Sequence, residues 1–310
     1  MKLLIETDQT ECYDASGREV ACAASGQDAA RCKYQRSSPR FRLLSHVVRD
    51  DWTGLEWGRA PVAETPLDWD SAVHCVQELS LEKKLGRSGW RLPTRRELFS
   101  LLSHQAINPA LPHGHPFSRI SSVYYWTSDS CARLHSEAWC IHLGGGRVCR
   151  GIKQRSLMAW PVASSKSLTG APDLRFVDDG TTVQDCLTGL SWLKKAELVG
   201  GAVNWQEAIQ SVAAANRRVM PESNDWRLPN IRELESLVDV RAHSPALPEG
   251  HPFQDIQAGY WSSTTSVYEP RYAWVLYPRD GAIGVGFKSK PDFFVWPVRD
   301  APIRQAVKSR

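Results

Sequence analysis

Apolar side chains recur at helical spacing in two separate stretches of the chain. The two sets are Trp69, Ala72, Val73 and Val76, and Trp205, Ala208, Ile209 and Val212. Positions three and four residues apart fall on one face of a helix, and an apolar face of this kind is buried against a core. The pattern therefore predicts amphipathic helices near residues 69–79 and 205–216.

A further helix in each stretch is indicated by its start signal. Glu97 follows Thr94 after three residues, and Glu233 follows Asn230 in the same way. In such a capping box the cap side chain accepts a hydrogen bond from a backbone N–H of the first turn, and the glutamate accepts one from the cap residue. Apolar stripes follow at Leu98, Leu101 and Leu102, and at Leu234, Leu237 and Val238.

The last third of each stretch has the pattern of antiparallel β-strands. Residues 138–143 and 147–151 flank a two-residue Gly144-Gly145 turn, and residues 272–277 and 282–287 flank a turn with the strong hairpin signal Asp-Gly. A short strand–turn–strand around Thr-Gly-Leu-x-Trp precedes the helices, and a last strand carries Trp-Pro-Val. This order predicts an α+β fold with two helices and a terminal antiparallel β-sheet in each stretch.

The two stretches are copies of one sequence, offset by 135 or 136 residues. Of the 13 tryptophans, all but Trp52 fall into matched pairs, at 57/192, 69/205, 90/226, 126/261, 139/274 and 160/296. Large aromatic residues dominate core burial, so these pairs are interpreted as core residues.

The repeat sets the predicted domain organisation. A cysteine-bearing extension occupies residues 1–40, copy one residues 41–163, and copy two residues 174–300. A polar linker rich in Ser, Gly and Pro joins them at 164–173, and a basic tail follows at 301–310.

Composition and charge exclude several classes of protein. The hydrophobic fraction of 42% and charged fraction of 23% rule out wholesale disorder, and a net charge of +4 is too weak to imply a nucleic-acid partner. No stretch approaches the roughly 18 apolar residues of a membrane span. The opening Met-Lys-Leu-Leu-Ile-Glu has too short an apolar run for a complete signal peptide, which needs about 7 to 15 apolar residues.

The polar residues common to both copies favour scaffold roles over catalysis. They are Arg91/Arg227, Arg96/Arg232, Glu97/Glu233, His115/His251, Ser128/Ser263 and Lys153/Lys288. Capping explains the glutamates, and ion pairing or capping of carbonyls explains the arginines, with anion recognition as the alternative. The histidines sit in Gly-His-Pro-Phe turns without a shared catalytic partner. We therefore expect no enzymatic activity and no cofactor.

The positions of the cysteines in the two copies indicate which metal sites and disulfides to expect. None is common to both copies and no Cys-x-x-Cys occurs, so no metal site is expected. Two local disulfides are predicted: Cys12 with Cys22 around a turn-like segment, and Cys140 with Cys149 as a non-hydrogen-bonded pair across the hairpin. Two bridges would indicate an oxidising compartment, whereas in the cytosol all eight cysteines would be thiols.

The ordered motifs of both copies resemble the Lcl C-terminal domain family, long described as a domain of unknown function. The motifs are Trp-Arg-Leu-Pro, the Arg-Glu-Leu helix, Tyr-Trp-(Ser/Thr)-Ser and the closing hairpin. The resemblance implies a C-type-lectin-like fold and a role in bacterial surface adhesion or glycan binding, which with the cysteines favours a cell-surface or secreted protein. The calcium motifs of true C-type lectins are absent, because Arg271 follows Glu269-Pro270, and no calcium ligands are carried over.

Basic and aromatic residues collect in the terminal hairpins, where the copies differ most. The candidate ligand-binding residues are Arg133, Arg147, Arg150, Lys153 and Arg155 in copy one, and Tyr268, Arg271, Tyr272, Arg279 and Lys288 in copy two. Guanidinium groups pair with sulfate or carboxylate, and rings stack on sugar faces, so acidic or sulfated glycans are the expected ligands. A solvated face without a ligand is the alternative.

Three hypotheses for function follow. The first is a non-catalytic binding protein of adhesin type that recognises glycans or other surface ligands. The second is a protein–protein interaction module that gains avidity from its two copies. The third is an enzyme on a lectin-like scaffold, for which Cys140 and Cys149 would be the reactive pair.

Overall fold

The computed structural model describes residues 6–31, 39–164, 174–218 and 225–301. Nearly all of the predicted linker (165–173) and of the basic tail (302–310) lies outside the described residues.

The described residues form sixteen strands and four α-helices. The strands are β1 (Cys12–Tyr13), β2 (Glu19–Val20), β3 (Phe41–Leu44), β4 (Val47–Asp50), β5 (Leu55–Gly58), β6 (Tyr124–Ser130), β7 (Glu137–His142), β8 (Val148–Ile152), β9 (Val162–Ser164), β10 (Phe176–Asp178), β11 (Thr182–Asp185), β12 (Leu190–Leu193), β13 (Tyr260–Thr265), β14 (Tyr272–Tyr277), β15 (Ala282–Phe287) and β16 (Val298–Asp300). The helices are α1 (Trp69–Leu81), α2 (Arg95–Leu101), α3 (Trp205–Arg218) and α4 (Ile231–Ser236). None of the helices in the described ranges has the length and apolar character needed to cross a membrane.

Both predicted capping boxes are present. The Glu97 N–H donates to Thr94 and the Thr94 N–H donates to Glu97, and Asn230 and Glu233 exchange the same two bonds. The arginine of the Trp-Arg-Leu-Pro motif then clamps the glutamate, because Arg91 holds Glu97 with two hydrogen bonds of 2.7 Å. Arg227 holds Glu233 in the same way at 2.6 Å. The expected structural role of these arginines is confirmed.

Each copy is closed by a four-stranded antiparallel sheet. Its order is β3-β4-β5-β9 in copy one and β10-β11-β12-β16 in copy two. The strand that begins at the valine of Trp-Pro-Val therefore pairs with the opening hairpin, through Trp57↔Val162 and Trp192↔Val298, and not with the terminal hairpin that precedes it in sequence. This strand pairing joins the beginning of each copy to its end.

The terminal strands of the two copies merge into one six-stranded sheet. Its order is β13-β14-β15-β8-β7-β6, and the junction is the antiparallel pair Val148↔Ile283. These two residues are equivalent in the repeat, 135 positions apart. A local two-fold axis therefore passes through the junction, and the two terminal hairpins that the sequence predicts as separate are one surface.

The core also spans both copies. One cluster holds Trp57, Trp139 and Trp160 together with Trp192 and Trp296. Every member of the six tryptophan pairs is buried except Trp69, whose ring lies beneath the ammonium of Lys153 at 4.1 Å. The prediction that the paired tryptophans are core residues is confirmed for all the others.

Reciprocal arginines join the second helices of the two copies. Arg96 donates to the carbonyls of Ser236 and Val238, at 3.3 and 3.0 Å. Arg232 donates to the equivalent carbonyls of Ser100 and Leu102. Each arginine therefore satisfies the open carbonyls at the end of the other copy's helix, as cations near helix C-termini do. The expected capping role is confirmed, but it acts between the copies.

The N-terminal segment, residues 6–31, is fastened to both copies. The Gln9 side-chain amide donates to the carbonyls of His104 in copy one and Thr265 in copy two, at 3.3 and 2.8 Å, and its oxygen accepts from the Thr265 N–H at 2.9 Å. The buried Asp28 carboxylate accepts from the hydroxyl of Thr264 at 2.7 Å. The predicted disulfide between Cys12 and Cys22 is formed in this segment.

Candidate functional site

A groove of about 580 Å³ lies where the two terminal hairpins meet. Copy one lines it with Tyr124, His142, Arg147 and Cys149. Copy two lines it with Tyr268, Trp274 and Tyr277. Neither copy contains this groove alone, because its two walls come from strands that meet only at the Val148↔Ile283 junction.

Glycines open the groove on both sides of the junction. In copy one, a Cβ on Gly145 would stand 3.3 Å from the ring of Tyr268. In copy two, a Cβ on Gly284 would stand 3.2 Å from the ring of Tyr277. Both distances are tighter than ordinary side-chain contacts, so side chains at these positions would crowd the aromatic walls.

The glycine turn between β7 and β8 is longer than the two residues predicted. The His142 N–H donates to the Arg147 carbonyl at 2.9 Å, so four residues, 143–146, lie between these paired positions. Hydrogen-bonded and open pairs alternate along an antiparallel ladder. Cys140 and Cys149, two positions further along, are therefore a hydrogen-bonded pair, and the predicted non-hydrogen-bonded pairing is wrong.

The structure holds Cys140 and Cys149 as two separate thiols. Their Sγ atoms lie 3.6 Å apart, whereas a disulfide bond is about 2.05 Å long. The second predicted disulfide is therefore not formed here, although the predicted cross-strand pairing of the two cysteines is observed.

The surroundings of Cys149 favour its thiolate. A hydrogen bond with Cys140 lowers the pKa of Cys149 to about 6, against the opposing effect of burial, with further contributions from the Tyr124 hydroxyl and from Arg147 and Arg155. The same shared hydrogen bond, with burial, raises the pKa of Cys140. The pair therefore consists of one acidic thiol that faces the groove and one weakly acidic thiol behind it.

Aromatic rings and one cation define the rest of the groove. The rings of Tyr124 and His142 meet edge to face with centroids 4.7 Å apart, and the Arg155 guanidinium lies 5.7 Å from the Tyr124 ring centroid. Arg147 is exposed and close enough to Tyr277 to act on its pKa, which burial raises. Among the described residues, no three His, Cys, Asp or Glu side chains gather as a metal ion would require.

Only part of the predicted ligand-binding set reaches this groove. Arg147 and Tyr268 line it, and Arg155 lies beside Tyr124. Arg150 is instead held by Asp280 at 2.9 Å, and Arg271 is held by Glu269 at 2.9 Å. The remaining surface residues lie outside the groove lining: Arg133, Lys153, Tyr272 and Arg279.

Lys288 is removed from the surface on which the sequence placed it. Its side chain is fully buried beneath the N-terminal segment. The ammonium lies 4.0 Å from the centroid of the Trp205 ring and donates to the Tyr13 carbonyl at 3.0 Å and the Thr265 hydroxyl at 2.9 Å. Lys288 therefore holds the N-terminal segment in place. The pattern of the sequence repeat does not indicate this contact.

Several groove residues did not enter the predicted set, namely Tyr124, His142, Trp274 and Tyr277. Trp274 and Tyr277 belong to the predicted strand 272–277. The sequence feature that could have identified them as site residues is their position in a terminal hairpin rich in aromatic residues. Their convergence with Tyr124 and His142 depends on strand pairing between the copies, which a single-strand pattern does not encode.

The family model described as the Lcl C-terminal domain matches the chain twice, over residues 46–163 and 181–299. No protein in the curated collection matches the chain.

Proposed function

The chain belongs to the Lcl C-terminal domain family, with two tandem copies, and we propose that it is a non-catalytic binding protein of adhesin type. The proposed ligand is an acidic or sulfated glycan, bound in the groove between the terminal hairpins. The proposed location is the cell surface or the secreted fraction, which the Cys12–Cys22 disulfide supports because such bonds persist in oxidising compartments.

The observation that carries the proposal is the pairing of aromatic walls with an exposed guanidinium in one groove. Tyr268 is 61% exposed and stands beside Trp274 and Tyr277 in the lining. Aromatic faces of this kind suit the apolar faces of sugar rings, and Arg147 offers paired N–H donors to a sulfate or carboxylate. The volume of about 580 Å³ falls within the range of small-ligand sites.

We also propose that each copy has a C-type-lectin-like arrangement. Its support is that the closing strand returns to pair with the opening hairpin, as in Trp57↔Val162, while two helices lie between them in sequence. The proposed glycan binding does not involve calcium, since neither copy carries the motifs of calcium-dependent lectins.

A glycan array probed in low and high salt tests the proposal. We expect binding to sulfated or uronate-containing glycans that weakens as salt rises, because the Debye length falls from about 10 Å at 0.1 M to about 3 Å at 1 M. The Arg147→Ala variant should bind at least about tenfold more weakly, equivalent to about 1.4 kcal/mol.

The matched control is Arg241→Ala. Arg241 is an exposed arginine that pairs with Asp239, and it lies outside the groove lining. Its loss should leave binding unchanged. An absence of glycan binding at any salt concentration would contradict the proposal and favour a protein–protein interaction module. Equal losses in both variants would point to nonspecific attraction by surface charge.

A further inference from the structure

We infer that Cys140 and Cys149 form a reversible thiol–disulfide site in the groove, able to exchange with small-molecule disulfides. The two residues face each other across β7 and β8, and their sulfur atoms lie 3.6 Å apart. Closing the bond requires the sulfurs to approach by about 1.5 Å, to the disulfide length of about 2.05 Å. The strand register already places the two residues opposite one another.

No other pair among the described free cysteines has this geometry. Cys75, Cys131 and Cys186 belong to other elements, and the thiol of Cys131 instead accepts from Arg150 at 3.5 Å. Burial raises the pKa of Cys75, with a smaller contribution from Glu78, which favours its protonated form. Cys186 is exposed and lies outside the groove lining, so it serves as the control cysteine.

Access and charge distinguish the two thiols. Cys149 lines the groove, whereas Cys140 is 3% exposed and packs behind it. The groups that act on Cys149 come from several parts of copy one: Cys140 from β7, Tyr124 from β6, Arg147 from the turn before β8 and Arg155 from the loop after β8. The accessible sulfur therefore lies in an electropositive setting with hydrogen-bond donors, as reactive cysteines do.

The exchange proceeds in two displacements with a small disulfide, RSSR, as the oxidant. The Cys149 thiolate attacks one sulfur of RSSR, so a Cys149–S–S–R bond forms and RS⁻ leaves. The Cys140 thiol then loses its proton to solvent, attacks the Cys149 sulfur and expels the second RS⁻. Two protein thiols are oxidised to one disulfide, and one small disulfide is reduced to two thiols.

The order of attack is tested by alkylation with iodoacetamide over a range of pH. The Cys149 rate should have its midpoint near pH 6, and that of free N-acetylcysteine added to the same mixture near the ordinary value of about 8.5. At pH 6 the thiolate fraction of Cys149 should be about 150-fold higher than that of the free thiol, and the lower nucleophilicity of an acidic thiol reduces the rate advantage to about tenfold. A midpoint shared by Cys149 and the free thiol would overturn the assignment.

Tyr124→Phe tests the positioning of the thiolate. Loss of the phenolic hydrogen bond should shift the Cys149 midpoint upward. The ring is retained, so a merely structural role for Tyr124 would leave the Cys149 midpoint unmoved. That result would remove Tyr124 from the proposed site.

Oxidation is tested on the full chain in glutathione redox buffers, with peptide mapping that separates this pair from Cys12–Cys22. Wild-type protein should give a linked Cys140–Cys149 peptide that glutathione reverses. Cys140→Ser should trap glutathione on Cys149, while Cys149→Ser should leave Cys140 unmodified and Cys186→Ser should behave as wild type. Failure of the linked peptide to form, or glutathione on Cys140 in the Cys149→Ser variant, would overturn the inference. None of these readouts involves a glycan.

Discussion

The two copies share a scaffold but differ in what covers the edge of the shared sheet. At the β13 edge of copy two, the Thr265 backbone N–H and carbonyl bond to Gln9 of the N-terminal segment. At the β6 edge of copy one, the equivalent residue is Ser130. The Cys131 N–H donates to the Glu137 carbonyl, so alternation turns the backbone groups of Ser130 outward, like those of Thr265.

A difference of one residue explains why the N-terminal segment, residues 6–31, packs on the sheet edge of copy two. Thr264 donates to the buried Asp28 carboxylate, while the equivalent residue in copy one is Asp129. A second carboxylate there would repel Asp28 instead of donating to it. Lys153 and Trp69 in copy one repeat the cation–ring contact of Lys288 and Trp205 in copy two. This contact is therefore present in both copies, whereas the hydroxyl of Thr264 has no counterpart in copy one.

A second difference lies at the interface between the copies. Arg95 and Glu235 form a buried ion pair at 3.2 Å, with side chains 1% and 5% exposed. Their counterparts in the other copy are Ile231 and Phe99. The reciprocal arginine caps are symmetric, whereas this ion pair is made once, so the duplicated surfaces have diverged into complementary ones.

The largest expected effect comes from breaking this asymmetric ion pair. Arg95→Ala should lower the free energy of unfolding by about 3 kcal/mol, because it removes the nearer cation from the buried Glu235 carboxylate and leaves only Arg96, at 3.8 Å. Guanidinium denaturation would measure the loss. The double variant Arg95→Ile with Glu235→Phe gives both copies the same apolar residues and should cost far less than the two single substitutions summed. Additive losses would contradict a direct charge interaction.

A smaller effect is expected from exchanging the selecting residue. Thr264→Asp should release the N-terminal segment and cost about 2 kcal/mol, because two carboxylates would meet in a buried site. Hydrogen exchange of residues 6–31 would report the release. Asp129→Thr is the reciprocal control and should leave that protection unchanged. Full protection in Thr264→Asp would show that the other contacts of the segment decide its position.

The smallest effect is a pH dependence of the same contact. Burial raises the pKa of Asp28 from its usual value to about 6, against hydrogen bonds from Thr264 and Thr7 that lower it. A carboxyl whose pKa is higher in the folded state stabilises the fold at low pH, and this stability is lost as pH rises through the folded pKa. Between pH 5 and pH 7 the loss from Asp28 should be about 1 kcal/mol.

Asp28→Asn isolates this contribution. Other groups also titrate in this range, among them the buried His104, whose pKa burial lowers. The informative quantity is therefore the difference between wild type and Asp28→Asn in unfolding free energy, measured at pH 5 and pH 7. Parallel pH profiles for the two proteins would assign Asp28 no part in the dependence.

Features set by neighbouring residues were predictable from the sequence. The periodicity from Trp69 onward gives helix α1, the Thr94–Glu97 spacing gives a capping box, and Asp280-Gly281 gives a hairpin with the observed strand limits. Each signal rests on residues a few positions apart, where backbone geometry is decided locally.

Features that depend on distant pairing were not predictable. Lys288 and Arg150 look alike as surface cations in the sequence, yet one is buried under a segment 275 residues away and the other pairs with Asp280 across the junction. The four-residue turn also makes Cys140 and Cys149 a hydrogen-bonded pair in place of the predicted non-hydrogen-bonded one, because the type of turn sets the alternation along both strands. The groove itself arises only when the hairpins join.

The Val148↔Ile283 junction has a further consequence for assembly. Equivalent residues paired around a two-fold axis are the signature of a symmetric homodimer, here made within one chain. Because both halves belong to one chain, their association is intramolecular, so the interface needs only a fraction of the affinity that two free subunits would require. Covalent linkage thus lets each half of the interface change separately, as Arg95 and Glu235 have done.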